Sequence, residues 1–278
     1  MKRTKRLTPR LLTALQPMQG PYLRAPEEGG HRGDFLIASY NIHKCVGSDG
    51  RFDPGRIAEV IAEIDPDVIA LQEADKRFGR RDGLLDMEAI EKRTGLVPAS
   101  VSTLASGHGW HGNALLYRSG AITGVERLKL PGAEPRGAII VDLELEASPL
   151  RIIAAHLGLL RHSRKRQLQA IKAQVKTDGP PTLILGDLNE WRIGDRSSLL
   201  TLDPHFGPVG APVPSFPAQF PVFALDRVLS SPGGLVTRIE AHDSPLARVA
   251  SDHLPIKATI DLARITSGNG QFPRDPAL

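Results

Sequence analysis

Short apolar runs alternate along this chain with longer segments of helical periodicity. Runs of β-branched and aliphatic residues have the length of buried strands, and stretches that alternate apolar and polar positions are typical of strands with one buried face. The predicted strands are 35–40, 67–72, 114–117, 122–130, 138–145, 151–155, 182–185, 222–225 and 254–260. The predicted helices are 54–64, capped by Asp53 with Pro54 at its first position, 87–94 and 163–176. The pattern predicts an α/β fold.

Polar side chains recur where the predicted strands end. Each of five strands is followed by an acid, an amide or an imidazole, and a sixth is preceded by an acid and an imidazole. These residues are Asn41, Glu73, His156, Asp187, Asp226, Asp252 and His253. Ligands of open α/β sheets collect at strand ends, because loops converge there while the sheet holds them rigid. We therefore predict one polar cluster at a sheet edge.

The segment around Gly186 has the strongest chemical pattern of these ends. Asp187 and Asn189 stand two positions apart, so an extended chain places both side chains on the same side. A carboxylate and a carboxamide together offer hard oxygen atoms that suit Mg²⁺ or the orientation of a water molecule. Taken alone, the segment is equally compatible with an ordinary Asp/Asn turn.

Six short motifs together resemble the endonuclease/exonuclease/phosphatase superfamily, which includes DNase I-like nucleases, neutral sphingomyelinases and inositol phosphatases. The match runs in order from about Asp34 to Asp261. The motifs are Ser39-Tyr40-Asn41-Ile42-His43, Leu71-Gln72-Glu73, Gly112-Asn113-Ala114-Leu115-Leu116, Ala155-His156-Leu157, Gly186-Asp187-Leu188-Asn189 and Ser251-Asp252-His253. The resemblance implies a DNase I-like four-layer α/β sandwich, with two mixed β-sheets packed face to face and helices on the outer faces.

The predicted metal site uses Glu73, because an ionised carboxylate at a strand end is a good ligand for Mg²⁺. The resemblance adds Asn41 beside it, with Asp252 as a possible contributor. Such a sparse set suits Mg²⁺, which keeps several water ligands and binds one or two carboxylates. Mn²⁺ is the alternative cation.

The predicted catalytic residues handle protons and water. His253 is expected to act as general base or acid, since an imidazole titrates near neutrality. The resemblance implies that Asp226 orients its ring, as in a triad with water as nucleophile. Asp187 and Asn189 are expected to position the attacking water and a phosphoryl oxygen, and His156 to bind or protonate the phosphate.

Four further residues are candidates for contact with the substrate. His43 is two positions beyond Asn41 and could reach the rim of the site, and Arg136 could reach a phosphate. Asn113 resembles a family motif but is expected to brace the site. Trp191 could stack on a base or contact a lipid headgroup, or it could pack on the core as an ordinary loop aromatic.

Composition sets limits on the class of protein. With 278 residues, 41% of them hydrophobic, we expect one domain over 34–264, a poorly ordered basic leader at 1–33 and a frayed tail at 265–278. The net charge of +4 is mild. Cys45 is the single cysteine, which excludes an intramolecular disulfide, and no apolar run has the length of a signal peptide or membrane span. We expect a soluble cytoplasmic protein.

The favoured function is a Mg²⁺-dependent phosphoesterase that cleaves a small or phospholipid-type phosphodiester. A DNA endonuclease or exonuclease is the alternative, and a non-catalytic binding module is the third possibility. The short segment between Glu73 and Asn113 leaves little room for an insertion that grasps DNA. The partner is therefore a phosphodiester (small molecule, phospholipid headgroup or nucleic acid), and no protein partner can be inferred.

Overall fold

A computed structural model describes residues 35–76, 81–118, 120–145, 149–176, 178–206, 211–261 and 263–264. The leader predicted at 1–33 and the tail predicted at 265–278 lie outside these residues. The strands are β1 (Phe35–Asn41), β2 (Val68–Gln72), β3 (Val97–Pro98), β4 (Ala114–Tyr117), β5 (Ala121–Leu130), β6 (Arg136–Glu144), β7 (Pro149–His156), β8 (Thr182–Asp187), β9 (Asp226–Ser231), β10 (Val236–Ala241) and β11 (Ile256–Ile260). The helices are α1 (Pro54–Ile64), α2 (Met87–Thr94), α3 (Arg161–Lys172) and α4 (Ala247–Ala250).

The strands form two mixed sheets. The first sheet has the order β10-β11-β1-β2-β4-β3, and the second has the order β5-β6-β7-β8-β9. Each sheet contains one parallel pair, β1 with β2 and β7 with β8, and antiparallel neighbours otherwise. The parallel pairs matter for the site, because two strand ends meet at the same edge of each sheet.

Strand alternation divides the apolar residues into three layers of core. Inward-facing residues of both sheets, such as Ile37, Ile152 and Leu185, form the core between the sheets. Ile69 and Leu71 face the other way and pack under α1 and α2. A third cluster lies under α3 on the outer face of the second sheet. This helix–sheet–sheet–helix arrangement confirms the predicted α/β sandwich.

Most predicted elements are present, with shifted ends. The Asp53 side chain accepts a hydrogen bond from the Arg56 N–H at 3.2 Å and caps α1 as predicted. Helix α3 spans Arg161–Lys172 instead of 163–176. Within the described residues, every helix is too short or too polar to cross a membrane.

The strand predicted at 222–225 is wrong. The Phe223 N–H donates to the Phe216 carbonyl at 2.8 Å, and the Phe216 N–H donates back at 3.0 Å, so this segment pairs with its own loop instead of the sheet. Strand β9 begins at Asp226, directly opposite Asp187 on β8. Because the two strands are antiparallel, the start of β9 lies at the edge where β8 ends. Asp226 thus opens a strand instead of closing one, and still lies at the predicted edge.

Candidate active site

The predicted cluster lies at the open end of the core between the sheets. On β7 and β8 the inward-facing positions are apolar along the strand and become polar at its last residue, and on β1 the same face changes from apolar to polar at Ser39. The last residues of these three strands are Asn41, His156 and Asp187, and all three are buried. The same alternation that builds the core therefore aims an amide, an imidazole and a carboxylate into one space.

Asn41 and Asp187 join the two sheets at this edge. The Asn41 Nδ2 donates to the Asp187 Oδ2 at 3.0 Å, and the other carboxylate oxygen accepts from the Asn189 N–H at 2.9 Å. The Asn189 side chain donates to the Leu157 carbonyl at 2.9 Å. Asp187 is therefore held from both sheets, and Asn189 braces the adjacent loop.

Gly186 allows this arrangement. Its φ of +149° is one that side chains disfavour, and an added Cβ would lie 1.8 Å from the Ala155 carbonyl oxygen on the neighbouring strand. Only glycine fits where β7 and β8 approach so closely. The close approach brings His156 opposite Asp187 in the strand register.

His253 and Asp226 form a buried imidazole–carboxylate pair. The His253 Nδ1 lies 2.8 Å from the Asp226 Oδ2, which also accepts the Ser215 hydroxyl hydrogen bond at 2.5 Å. The His253 Nε2 faces the Asp187 Oδ2 at 3.9 Å, beyond hydrogen-bond distance. The Phe216 ring covers the imidazole at 4.8 Å between ring centroids. Asp226 thus holds the imidazole ring through its Nδ1, and the Nε2 faces the cluster.

The two buried histidines have opposite proton affinities. Burial lowers the pKa of His156 well below its usual range, because the interaction with Asp187 at 3.3 Å does not offset the loss of water. Burial also acts to lower the pKa of His253, but Asp226, Asp187 and Asp252 together raise it above its usual range. The two shifts favour a neutral His156 and a protonated His253 at pH 7.

Glu73 lies on the more open side of the cluster, immediately after β2. Its carboxylate forms an ion pair with the Lys44 ammonium. The two residues line one pocket together with Asp75, Arg81, His111, Gly112, Pro135, Arg136 and His156. Lys44 belongs to a run of three residues with positive φ, since His43, Lys44 and Cys45 have φ of 44°, 54° and 60°. Such a run without glycine is strained, and strain of this kind concentrates at functional sites.

The oxygen donors near Glu73 fit a divalent cation. Asn41 and Gln72 are register partners on parallel strands, so Asn41 and Glu73 lie at neighbouring strand ends. Among the described residues, the Asn41 Oδ1 accepts a hydrogen bond from the His43 N–H alone, at 3.1 Å, and has a second lone pair. An amide oxygen and a carboxylate suit Mg²⁺ with retained water ligands. The described residues contain no group of three or more His, Cys, Asp or Glu side chains arranged around a metal position.

Asp252 and His43 lie at the outer rim. The Asp252 Oδ1 is 3.8 Å from the His43 Nδ1, and both side chains are more than one-third exposed. The His43 Nδ1 is also 2.9 Å from the Val46 carbonyl oxygen.

The remaining predicted residues divide into braces and exposed groups. The Asn113 Nδ2 donates to the Gly137 carbonyl at 2.9 Å, a bracing contact. Arg136 lines the pocket while its guanidinium binds Glu134 at 2.8 Å. Trp191 is about half exposed, and the Arg192 guanidinium lies 4.6 Å from its ring centroid. Trp191 is therefore not packed in the core, which was the alternative interpretation of the sequence.

Sequence reasoning missed three polar residues of the site. Lys44 pairs with Glu73, Ser215 holds Asp226, and Arg227 lies buried behind them, where it donates to the Asp226 and Glu190 carbonyls at 3.1 Å each. Lys44 directly follows the Asn-Ile-His motif, and Arg227 directly follows Asp226, so adjacency was the available signal for both. No feature of the sequence marked Ser215, because it meets Asp226 only through the fold of the loop between them.

Comparison with known proteins identifies the class. The family model described as Endonuclease/Exonuclease/phosphatase family matches residues 38–253, and this chain belongs to that family. Members of the family are generally phosphoester hydrolases and are typically dependent on divalent metal ions.

Individual relatives agree with this membership. The chain is 28% identical over 254 residues to the uncharacterized protein YbhP of Escherichia coli (strain K12), covering 82% of this chain and 96% of that protein. The fold is similar to the endonuclease/exonuclease/phosphatase of Beutenbergia cavernae DSM 12333 (TM-score 0.60, 22% identity, 82% of this chain and 72% of that one). It is also similar to a mannosyl-6-phosphatase of Bacteroides thetaiotaomicron VPI-5482 (TM-score 0.59, 17% identity, 82% and 100%).

Proposed function

We propose that this protein is a Mg²⁺-dependent phosphodiesterase that hydrolyses a small or phospholipid-type phosphodiester with a histidine-activated water. The observation that carries the proposal is the His253–Asp226 pair, which faces Asp187 at the edge where Asn41 and Glu73 also lie. Phosphate-ester hydrolysis needs a base for water, neutralisation of the phosphoryl oxygens and stabilisation of the leaving oxygen. The cluster offers His253 for the water, and Glu73 with Asn41 to hold a cation for the phosphoryl and leaving oxygens.

His253 is proposed to handle the proton of the attacking water. Asp226 fixes the Nδ1 side, so the Nε2 is left to exchange a proton with water held beside Asp187 and Asn189. The surrounding carboxylates raise the pKa of His253. Positive charge held by Glu73 and Asn41 would lower its proton affinity and would make it available as a base.

Glu73 and Asn41 are proposed to hold the cation. Mg²⁺ bound there supplies positive charge to the phosphoryl oxygens and the leaving oxygen. With Glu73 engaged by a cation, the Lys44 ammonium would be available to contact a phosphate in the same pocket. His156, neutral and buried, is proposed to hydrogen-bond a phosphoryl oxygen, with Arg136 nearby in the pocket wall.

A DNA endonuclease or exonuclease is the second candidate. It is favoured by Trp191, whose half-exposed ring stands two residues beyond Asn189 and could stack on a base. The similar mannosyl-6-phosphatase makes a phosphomonoester a further substrate to test. These substrates share the scissile phosphate and differ in what surrounds it.

A substrate panel tests the proposal. Plasmid DNA, an abasic duplex, phospholipids, bis(p-nitrophenyl) phosphate and p-nitrophenyl phosphate are each incubated with Mg²⁺ or with EDTA. We expect hydrolysis of a non-nucleic diester in Mg²⁺ alone, with a weak dependence on salt. Cleavage of DNA that falls steeply with salt would instead establish the nuclease, because several phosphate contacts release counterions. Absence of hydrolysis across the panel would contradict the proposal.

A further inference from the structure

Large exposed apolar side chains are concentrated around one part of the molecule. Nine such residues occur among the described ones, and seven of them lie between positions 159 and 223. We name five of these the apolar rim: Leu159, Leu160, Trp191, Ile193 and Phe223. Scattered exposed apolar residues are normal, but a contiguous group marks an interaction surface.

Contacts among three loops bring the segments that carry the rim next to one another. The Arg161 Nε donates to the Arg196 carbonyl at 3.0 Å, which joins the start of α3 to the loop that carries Ile193. Trp191 and Phe223 meet edge to face with 6.1 Å between ring centroids. Phe223 is bonded through its backbone to Phe216, which covers His253. Phe223 of the rim is therefore linked through Phe216 to His253 of the candidate active site.

A buried ion pair fixes the loops that carry the rim. Arg164 and Glu190 are almost completely buried and lie 3.3 Å apart. The Arg164 Nη1 donates to the Leu159 carbonyl, and Glu190 accepts the Ser198 N–H at 2.8 Å. The apolar side chains are therefore presented outward by an ordered framework.

The rim is interleaved with positive charge. The basic residues in the same segments are Arg161, His162, Lys165, Arg166, Arg192 and Arg196, and the one acid in the described segments 159–166 and 191–196 is Asp195. Apolar side chains beside Lys and Arg are the pattern by which proteins lie on an anionic membrane surface.

We propose that the apolar rim docks on an anionic membrane surface and places the site against phospholipid headgroups. This names the source of the substrate and rests on the proposed function. Leu159, Leu160 and Ile193 are aliphatic and have no π-face for a nucleobase, whereas they insert readily among lipid chains. The observations therefore favour a membrane over a nucleic acid.

Vesicle co-sedimentation of the full chain tests the docking. The probes are vesicles of phosphatidylcholine alone and of equal parts phosphatidylcholine and phosphatidylglycerol. The variants are the pairs Leu159→Ser with Leu160→Ser and Lys165→Glu with Arg166→Glu. The matched control is Leu104→Ser with Phe52→Ser, which removes exposed apolar side chains elsewhere. Thermal unfolding monitored by circular dichroism verifies that all variants fold.

We expect the wild type and the control to bind the anionic vesicles, and each rim variant to bind at least about tenfold more weakly. Equal binding by rim and control variants, or no binding by the wild type, would overturn the docking. Binding of single-stranded DNA that the rim variants lose, with vesicle binding unchanged, would assign the surface to nucleic acid.

Hydrolysis of soluble bis(p-nitrophenyl) phosphate separates the two proposals, because the rim variants leave the proposed catalytic residues intact. If the rim variants lose vesicle binding and neither the wild type nor any variant hydrolyses the diester, the docking stands and the proposed function is contradicted. If the wild type and all variants hydrolyse the diester and the rim variants bind vesicles as the wild type does, the proposed function stands and the docking is contradicted.

Discussion

The side of the site formed by Asp187, Asp226, His156 and His253 is buried, whereas the side formed by Glu73 and Lys44 is partly open. Each of the four buried residues is at most 5% exposed, and the Glu73 and Lys44 side chains are 21% and 36% exposed. The buried residues lie on strands or pack against them, while Glu73 and Lys44 lie on loops with positive φ. The two sides have different physical properties and are suited to different tasks.

The two sides differ in whether the hydrogen-bond and ion-pair partners of their carboxylates are fixed or can be replaced. On the buried side, Asp187 and Asp226 have hydrogen-bond partners, Asn41 and Ser215, that are themselves buried. Such an arrangement is preorganised and stabilises developing charge at no cost of reorganisation. On the open side, the partner of Glu73 is a flexible ammonium that can be exchanged for a cation. The contrast can be tested by substitutions on each side.

The largest expected effect is for Asp187→Ala on the buried side. This change removes the acceptor of the Asn41 and Asn189 hydrogen bonds, and we expect hydrolysis to fall by about 10³-fold or more. Unpaired buried donors also lower the free energy of unfolding by about 2–4 kcal/mol. Steady-state kinetics and urea denaturation measure both losses.

Asp252→Ala is the matched change on the exposed rim. Its loss of activity should stay within about tenfold, because its partner His43 is 3.8 Å away and both side chains are hydrated. Equal losses for Asp187→Ala and Asp252→Ala would remove the distinction between the two residues and would support Asp252 as a metal ligand.

Lys44→Met should change metal affinity in the opposite direction to activity. Removing the ammonium that competes for Glu73 is expected to tighten Mn²⁺ binding by about 2–5-fold, the value of a partly exposed ion pair, while kcat falls. Isothermal titration with Mn²⁺ measures the first effect. Lys76→Met, which removes a more exposed lysine paired with Asp82 at 3.8 Å, is the control. Weaker metal binding by Lys44→Met would show that Lys44 supports the cation site.

In EDTA, the pKa values of the two buried histidines should be displaced from the usual value in opposite directions. The pKa of His253 is raised, so its contribution to stability is complete below the unfolded value of about 6.5 and is lost as pH rises through the folded pKa. The pKa of His156 is lowered, so the unfolded state gains protons first and stability falls as pH drops below about 6.5.

NMR titration of the imidazole signals checks both directions, with His253→Gln and His156→Gln used for assignment. Two ordinary titration curves near pH 6.5 would contradict the electrostatic difference between these residues.

Ser215→Ala is expected to have the smallest effect. It removes one hydrogen bond to Asp226, whose Oδ1 already lacks a hydrogen-bond partner, and should cost about 1 kcal/mol of stability and a several-fold loss of kcat. Ser215→Thr, which keeps the hydroxyl, should retain more activity than Ser215→Ala. A kcat unchanged in both variants would remove Ser215 from the site.

Strand periodicity carried most of what the sequence could predict. Because polar residues follow the predicted strands 35–40, 151–155 and 182–185, Asn41, His156 and Asp187 could be assigned to one sheet edge from the sequence. The alternation of side chains explains why these residues also face inward in the structure. The same reasoning failed for 222–225, since an apolar segment does not reveal whether its hydrogen bonds go to a sheet or to its own loop.

The open side was harder to predict. The turn that presents Lys44 consists of non-glycine residues with positive φ, and no residue in it marks that conformation. The pairing of two sheets depends on contacts between distant segments, so it came from family resemblance alone.

The most direct test is the rate of bis(p-nitrophenyl) phosphate hydrolysis by the wild type, by Glu73→Gln on the open side and by His253→Gln on the buried side. Each is measured with EDTA and with added Mg²⁺, and Glu91→Gln on the exposed surface of α2 is the control. The account predicts Mg²⁺-dependent hydrolysis by the wild type and the control, and losses of at least about 10²-fold in the other two variants while they remain folded. Hydrolysis that persists in EDTA, or in folded Glu73→Gln or His253→Gln at the wild-type rate, would contradict it.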